Sequence, residues 1–134
     1  MERCIAVVPT FNEAENLPLL VPRVLAQGPQ VELLIVDDAS PDGTGKIADG
    51  IAESNPRVHV LHRNAKQGLG PAYRAGLARA LELGADVIVQ MDADFSRPPE
   101  TLPQMFQWPD RNCLQHLLRL QLAPGSFLWQ PFFR

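Results

Sequence analysis

The ten residues VIVQMDADFS, Val87 to Ser96, run from strand-like apolar character through Met91 straight into two carboxylates, Asp92 and Asp94. A turn at that point makes the pair a clamp for a cation. Carboxylates about 6 Å apart repel by about 3 kcal/mol at an effective dielectric of about 20, and a bound divalent ion removes that repulsion. Hard oxygen ligands favour Mg2+ or Mn2+, which keep water and take substrate phosphate oxygens as remaining ligands. Such a site points to phosphate chemistry. The same two acids could instead cap the loop or helix that follows, and the spacing alone leaves both readings open.

Polar residues gather after three other apolar runs as well. In PTFNE, Pro9 stops a strand, Phe11 offers a face for a nucleobase, and Glu13 offers an acceptor for a ribose hydroxyl or a base N–H. Asn12 and Glu13 also suit an ordinary helix start. DDASPDGT carries Asp37 and Asp38 into the turn formers Ser40, Pro41, Asp42 and Gly43. Asp42 and Thr44 read as helix caps, which leaves Asp38 as the better ligand candidate. In RNAKQGLGPAYRAG, Gly68 and Gly70 fit the first two glycines of a dinucleotide fingerprint, but Tyr73 takes the third place and the loop follows the third strand. The match to a Rossmann cofactor loop is therefore poor. Glycines there let a backbone approach a ligand closely, and Arg63 and Lys66 are either pyrophosphate contacts or solvated cations on a tight loop.

The elements that must position these loops are legible in the apolar pattern. Cys4–Val8, Val31–Val36, Val58–Leu61 and Val87–Met91 are short, continuous and rich in Val and Ile, as strands covered on both faces are. Helical stripes lie between them: Leu17, Leu20, Val24 and Leu25; then Ile47 and Ile51; then Tyr73, Leu77, Ala80 and Leu81, running from Pro71 to a stop at Gly84. Strand and helix in alternation predict right-handed crossovers in a doubly wound α/β sheet, whose ligands sit beyond the carboxyl ends of the strands. All four polar loops belong at that end.

With 134 residues, 46% hydrophobic and 20% charged, and a net charge of -3, the chain is long enough for one compact domain. That composition argues against disorder and against a general nucleic-acid binder. Cys4 and Cys113 lack metal-ligand spacing and are too few for a disulfide framework, which suggests a reducing compartment. No apolar run approaches the ~18 residues of a membrane span, and a cytoplasmic protein is expected. Beyond Glu100 the texture changes: Asp110 is the last acid, and six of the nine aromatic residues follow Thr101. Leu114, Leu117, Leu118 and Leu122 predict one helix over about Asp110 to Leu122, ended by Pro124-Gly125. The tail, 104–134, is otherwise expected to be disordered or to dock its aromatics elsewhere.

Taken together, VVPTFNEAENLP, LLIVDDASPDGT, RNAKQGLGPAYRAG and VIVQMDADFSRPPE resemble the nucleotide-sugar half of the inverting family 2 glycosyltransferases, and among those the polyprenyl (dolichyl) phosphate mannose synthases. The likeness runs from residue 4 to about 103 in order. It implies a GT-A type, Rossmann-like sheet that is incomplete at the C-terminus, with residues 1–103 as the nucleotide-sugar-binding domain. It implies that Pro9, Phe11, Glu13, Val36 and Asp38 hold the nucleotide. Asp92 and Ala93 would contact the sugar diphosphate, Asp92 and Asp94 would hold Mg2+ or Mn2+, and Ser96 stands where some relatives place a further metal ligand.

Phe11 replaces the family's usual tyrosine, Ala39 a usual glycine and Arg97 a usual histidine. The implied reaction is transfer of mannose from GDP-mannose to a polyprenyl phosphate with inversion, at the cytoplasmic face of a membrane that the protein contacts peripherally. The basic residues that grip the acceptor in such enzymes have no counterpart after Pro103, so a truncated chain or a shifted reading frame is expected. Three other readings stand beside this one: another donor sugar such as glucose, a non-catalytic nucleotide-sugar-binding fragment, and a haloacid dehalogenase-like phosphatase. The last carries its Asp-x-Asp on the first strand, with Asp as nucleophile.

Overall fold

The computed structural model describes residues 3–103 and 117–119. Its elements alternate: β1 (Cys4–Thr10), α1 (Leu17–Leu25), β2 (Val31–Asp37), α2 (Thr44–Ser54), β3 (Val58–His62), α3 (Leu69–Glu82) and β4 (Val87–Gln90), then a 3-10 turn at Pro99–Thr101 and β5 (Leu117–Arg119). The sheet order is β3-β2-β1-β4-β5. β1 to β4 are mutually parallel, as expected, and β5 lies antiparallel on β4, pairing Val87 with Arg119 and Val89 with Leu117.

Period-two alternation divides the core. One set of strand side chains, including Ala6, Val8, Leu33, Ile35 and Val89, packs under Leu17, Leu20, Val21 and Val24 of α1 and Ala48 of α2. The alternate set, Ile5, Val7, Leu34, Val36 and Ile88, packs under Ala72 and Ala80 of α3. Both faces are covered, which is why these strands read as unbroken apolar runs. Fully burying each Val, Leu or Ile contributes about 1.5–3 kcal/mol, which makes these two apolar layers the main favourable term in holding the sheet.

α3 lies unusually deep. A Cβ on Gly76 would stand 2.4 Å from Cγ1 of Val7 and 3.0 Å from Cγ2 of Val36. Only a residue without a side chain lets the helix backbone rest on those two valines. With Ala72 and Ala80 one turn to either side, Gly76 forms a small-residue seam against β1 and β2.

β1 and β2 run further than their apolar stretches. Pro9 pairs with Val36 and Thr10 with Asp37. Pro9 is tolerated because it lies beyond the last β1–β4 pair, Val7 with Gln90, so its missing N–H breaks no bond on that side. The helix expected over about 110–122 is corrected at Leu117–Arg119, which form a strand; the remainder of that prediction lies outside the described residues. Backbone satisfaction explains the difference: β4 borders β1 on one side only, and β5 pairs the polar groups of its other side. Periodicity in a leucine-rich stretch carries no information about that open edge.

Candidate functional site

The chain steps outward from β1 to β2 to β3, then returns through α3 to place β4 on the other flank of β1. The strand order therefore reverses between β1 and β4, the point where open α/β sheets bind ligands. Phe11, Asn12 and Glu13 leave β1 on that rim, and Asp92 to Ser96 leave β4 beside them.

The loops after β1 and β2 are stitched together by backbone donors meeting side-chain acceptors. Asn12 N–H donates to Ser40 Oγ at 3.1 Å, Glu13 N–H to Thr44 Oγ1 at 3.1 Å and Ala14 N–H to Asp42 Oδ2 at 3.2 Å. Asp42 also accepts from the hydroxyl and the backbone N–H of Thr44, and the hydroxyl bond above all holds its carboxyl below the usual range. Asp42 and Thr44 therefore tie the two loops together, while the N-cap position of α2 is Gly43, which makes no side-chain cap bond. The Glu13 carboxylate accepts from Asn16 Nδ2 at 2.8 Å, which orients it on the rim.

The adjacent acids of β2 have separate duties. Asp37, 3% exposed, accepts from Thr10 Oγ1 at 2.9 Å and from Ser40 Oγ at 2.6 Å. Asp38, 5% exposed, takes Arg63 Nη1 at 3.0 and 3.3 Å on its two oxygens, and Arg63 in turn reaches Gln67 at 2.9 Å. Arg63, read in sequence as a pyrophosphate contact or a solvated cation, is neither in this arrangement: it balances the charge of Asp38 and fixes its direction. Lys66 lies with Nζ 4.3 Å from the centre of the Phe11 ring, a cation–π contact on one face of that ring.

Val36 and Ala93 are buried side chains. Val36 faces α3 at Gly76, so a ligand meets it only through its backbone. Pro9 is half-buried at the mouth of the same strand pair.

Asp92 is half-buried and Asp94 exposed. Asp94 accepts from the backbone N–H of Ser96 at 2.9 Å, and that bond leads the Ser96 contacts that hold its carboxyl below the ordinary value. Ser96 thus serves to orient Asp94. Asp92 Oδ1 accepts from the hydroxyl of Tyr73 on α3 at 2.9 Å. Burial first, then the bond to Asp92 and the negative charge of both acids, push the Tyr73 phenol well above its usual pKa, while Arg97 pulls the other way. Both acids are therefore felt at one hydroxyl.

The loop they occupy is braced from α1. Arg23 grips Glu100 through two hydrogen bonds of 2.8 and 2.7 Å and lies 5.0 Å from the centre of the Phe95 ring. Sequence reasoning missed this brace and the Tyr73 bond. Tyr73 read as one more member of an apolar stripe, and nothing in a stripe tells which atom its far end meets.

Among the described residues no group of three or more His, Cys, Asp and Glu is placed to hold a metal ion. A cation at Asp92 and Asp94 would thus draw its other ligands from water or substrate oxygens, which suits Mg2+ or Mn2+ better than Zn2+. Two carboxylates are the kind of hard oxygen donor such an ion takes.

The family model for glycosyl transferase family 2 matches residues 5–118. The chain belongs to that family. It is 52% identical over 110 residues to the polyprenol monophosphomannose synthase of Mycolicibacterium smegmatis, covering 81% of this chain and 42% of that protein. It is also 52% identical over 105 residues to the undecaprenyl-phosphate mannosyltransferase of Micrococcus luteus, covering 78% and 43%. Among solved structures it resembles the mannosyltransferase PcManGT of Pyrobaculum calidifontis in complex with GDP-Man and Mn2+, with a TM-score of 0.69, 27% identity and coverage of 81% and 33%.

The chain therefore spans about two-fifths of the length of these curated relatives. The GT-A type fold implied by the sequence motifs is the one the family 2 chain has, with β1 to β4 as its parallel part. The phosphatase reading is left without support, because the Asp-x-Asp follows the fourth strand of a glycosyl transferase family 2 domain. No helix among the described residues is long and apolar enough to cross a membrane.

Proposed function

We propose that this chain is the donor-binding part of a metal-dependent inverting glycosyltransferase that moves mannose from GDP-mannose to a polyprenyl phosphate. The observation that carries the reading is the placement of Asp92 and Asp94 at the end of β4, beside the strand-order reversal, in a chain half identical to a polyprenol monophosphomannose synthase. The complex of the Pyrobaculum protein with GDP-Man and Mn2+ supports the choice of donor and of Mg2+ or Mn2+ as cofactor.

Each residue then has a task. Phe11 stacks on the guanine, Glu13 accepts from the ribose, and Asp38, oriented by Arg63, accepts from base N–H groups, while Pro9 and Val36 line the slot. Asp92 and Asp94 hold the cation, and Ala93 lets the diphosphate approach the chain closely. Ser96 keeps Asp94 turned to the site. When bound, the cation neutralises charge on the departing nucleotide diphosphate. The acceptor phosphate oxygen forms the new bond to the anomeric carbon as the bond to the nucleotide diphosphate breaks on the opposite face. An acceptor already anionic near neutral pH needs no strong base, and none is assigned. Contact with the lipid is peripheral in this reading, at the cytoplasmic face of a membrane.

Calorimetric titration of the chain with GDP in the presence of Mn2+ tests the donor site. Saturable, Mn2+-dependent heat is expected, and Asp94→Ala should abolish the metal dependence, as it should abolish transfer in a version of full family length. Retained metal dependence in that variant refutes the assignment. A second reading is a nucleotide-sugar-binding chain without catalysis of its own. Binding of GDP without transfer to a polyprenyl phosphate would favour it.

A further inference from the structure

The hydroxyl of the chain's single tyrosine meets one of the two strand-end acids, a contact that the proposed reaction does not use. We infer that Tyr73 is a positioning residue for Asp92, whose hydrogen bond fixes the direction of that carboxylate and thereby sets the affinity of the site for a divalent cation. The inference rests on the reading of Asp92 and Asp94 as cation ligands.

The geometry is built from the helix upward. Ala72, Gly76 and Ala80 make the seam on which α3 rests against β1 and β2, and Gly76 leaves no room for even a methyl group above Val7. The height of α3 over the sheet is thus set by backbone contact, not by adaptable side chains. Tyr73 follows Ala72 directly, and its ring packs at the edge of the same buried cluster. A rigid ring on a helix at fixed height delivers its oxygen to one place, and that place is 2.9 Å from Asp92 Oδ1.

An aspartate side chain otherwise turns freely about its last bond and presents either oxygen to a ligand. A carboxylate only accepts, so the phenol hydroxyl is the donor in this contact and commits its single proton to Asp92. Held by that donor, the carboxylate keeps one orientation before the cation arrives, so binding no longer has to supply the ordering. Partners that orient a metal ligand from behind typically alter metal affinity by about 10- to 100-fold when removed. Tyrosine suits the task because phenylalanine in its place would fill the same volume and supply no donor.

Mn2+ titrations at saturating GDP, on the full chain and on Tyr73→Phe, test this directly, with thermal midpoint and metal-free GDP affinity measured alongside. Tyr73→Phe is expected to bind Mn2+ about 10-fold more weakly while the other two quantities hold. Unchanged Mn2+ affinity overturns the inference alone. A lower thermal midpoint with equal losses of GDP and Mn2+ affinity assigns Tyr73 a merely structural role and also overturns it.

Absence of any GDP and Mn2+ binding by the unaltered chain overturns the site reading, and this inference with it. A second measurement needs no variant: the one tyrosine gives one set of ring signals in the magnetic resonance spectrum, which substoichiometric Mn2+ should broaden selectively. Ring signals indifferent to Mn2+ overturn the inference.

Discussion

Among the described residues, three that bear side chains hold a positive φ, and all lie on the rim of the candidate site: Asn12 at 57°, Ala39 at 56° and Phe95 at 61°. Asparagine tolerates that region, because its short amide bonds locally. Alanine has no such compensation and costs roughly 1–2 kcal/mol there, while glycine would forfeit roughly 0.5–1 kcal/mol of backbone entropy on folding. Ala39→Gly is therefore expected to stabilise the protein by about 0.5–1 kcal/mol. A rise in the denaturant midpoint at unchanged slope is the check; a fall would show that the methyl group is needed. Phe95 is retained in the same conformation by packing against the core and by the Arg23 guanidinium. The glycine usual at position 39 in the resembled family acquires a conformational reason here, one that the sequence motif alone did not contain.

Two helix-start loops and two strands act as one piece at the scale of elements. The backbone N–H groups of Asn12, Glu13 and Ala14 are each held by a side chain from the loop after β2 or the first turn of α2. Asp42 anchors that stitch as an ionised group with a lowered pKa, its hydrogen bond to Thr44 being the chief cause. The sign follows: its stabilisation is present above the ordinary carboxylate pKa and is lost as pH falls through the lowered one. Hydrogen exchange at Ala14 and Thr44 is thus expected to quicken below the ordinary carboxylate range relative to the sheet amides, and Asp42→Asn should remove that extra acid sensitivity. Equal acid responses in the two proteins would show that Asp42 is not the anchor.

The four strands and three helices were legible because burial on both faces writes continuous apolar runs, and helices write a stripe. Their ends were not, since Thr10 and Asp37 stay in the ladder through a hydrogen bond to each other across strands. β5 was missed for a related reason: pairing partners are a property of the sheet edge, not of the three residues that fill it.

Across the whole molecule, burial makes one polar-capable core group inert. Cys4 lies at the start of β1, 2% exposed, and desolvation, aided by the charge of Glu32, pushes its thiol up to about 12 from 9.0. A thiol that stays protonated neither attacks disulfides nor binds metal, so Cys4 in the folded chain should resist alkylating reagents at pH 8 and react once the protein is unfolded. The raised value also means that stability is intact below 9.0 and declines as pH rises toward about 12, because the unfolded chain releases that proton first. Cys4→Ala should flatten this alkaline decline. An unchanged slope would assign the decline to other groups.

What the sequence determined by itself was which residues are inside and which loops share one rim of the sheet. Val and Ile runs fold into strands wherever both faces are covered, and a doubly wound sheet sends Phe11, Asp38, Lys66, Asp92 and Asp94 to one rim whatever their detailed contacts. Tertiary structure alone decided what each of those side chains touches. Arg63 faces Asp38, and the phenol of Tyr73 faces Asp92, because the depth of α3 over Val7 and the register of β2 against β3 fix atoms to within a hydrogen bond. Apolar pattern is a one-dimensional property that local burial imposes. Hydrogen-bond partnership depends on distances between elements far apart in the chain, and those exist only once the sheet and helices have packed.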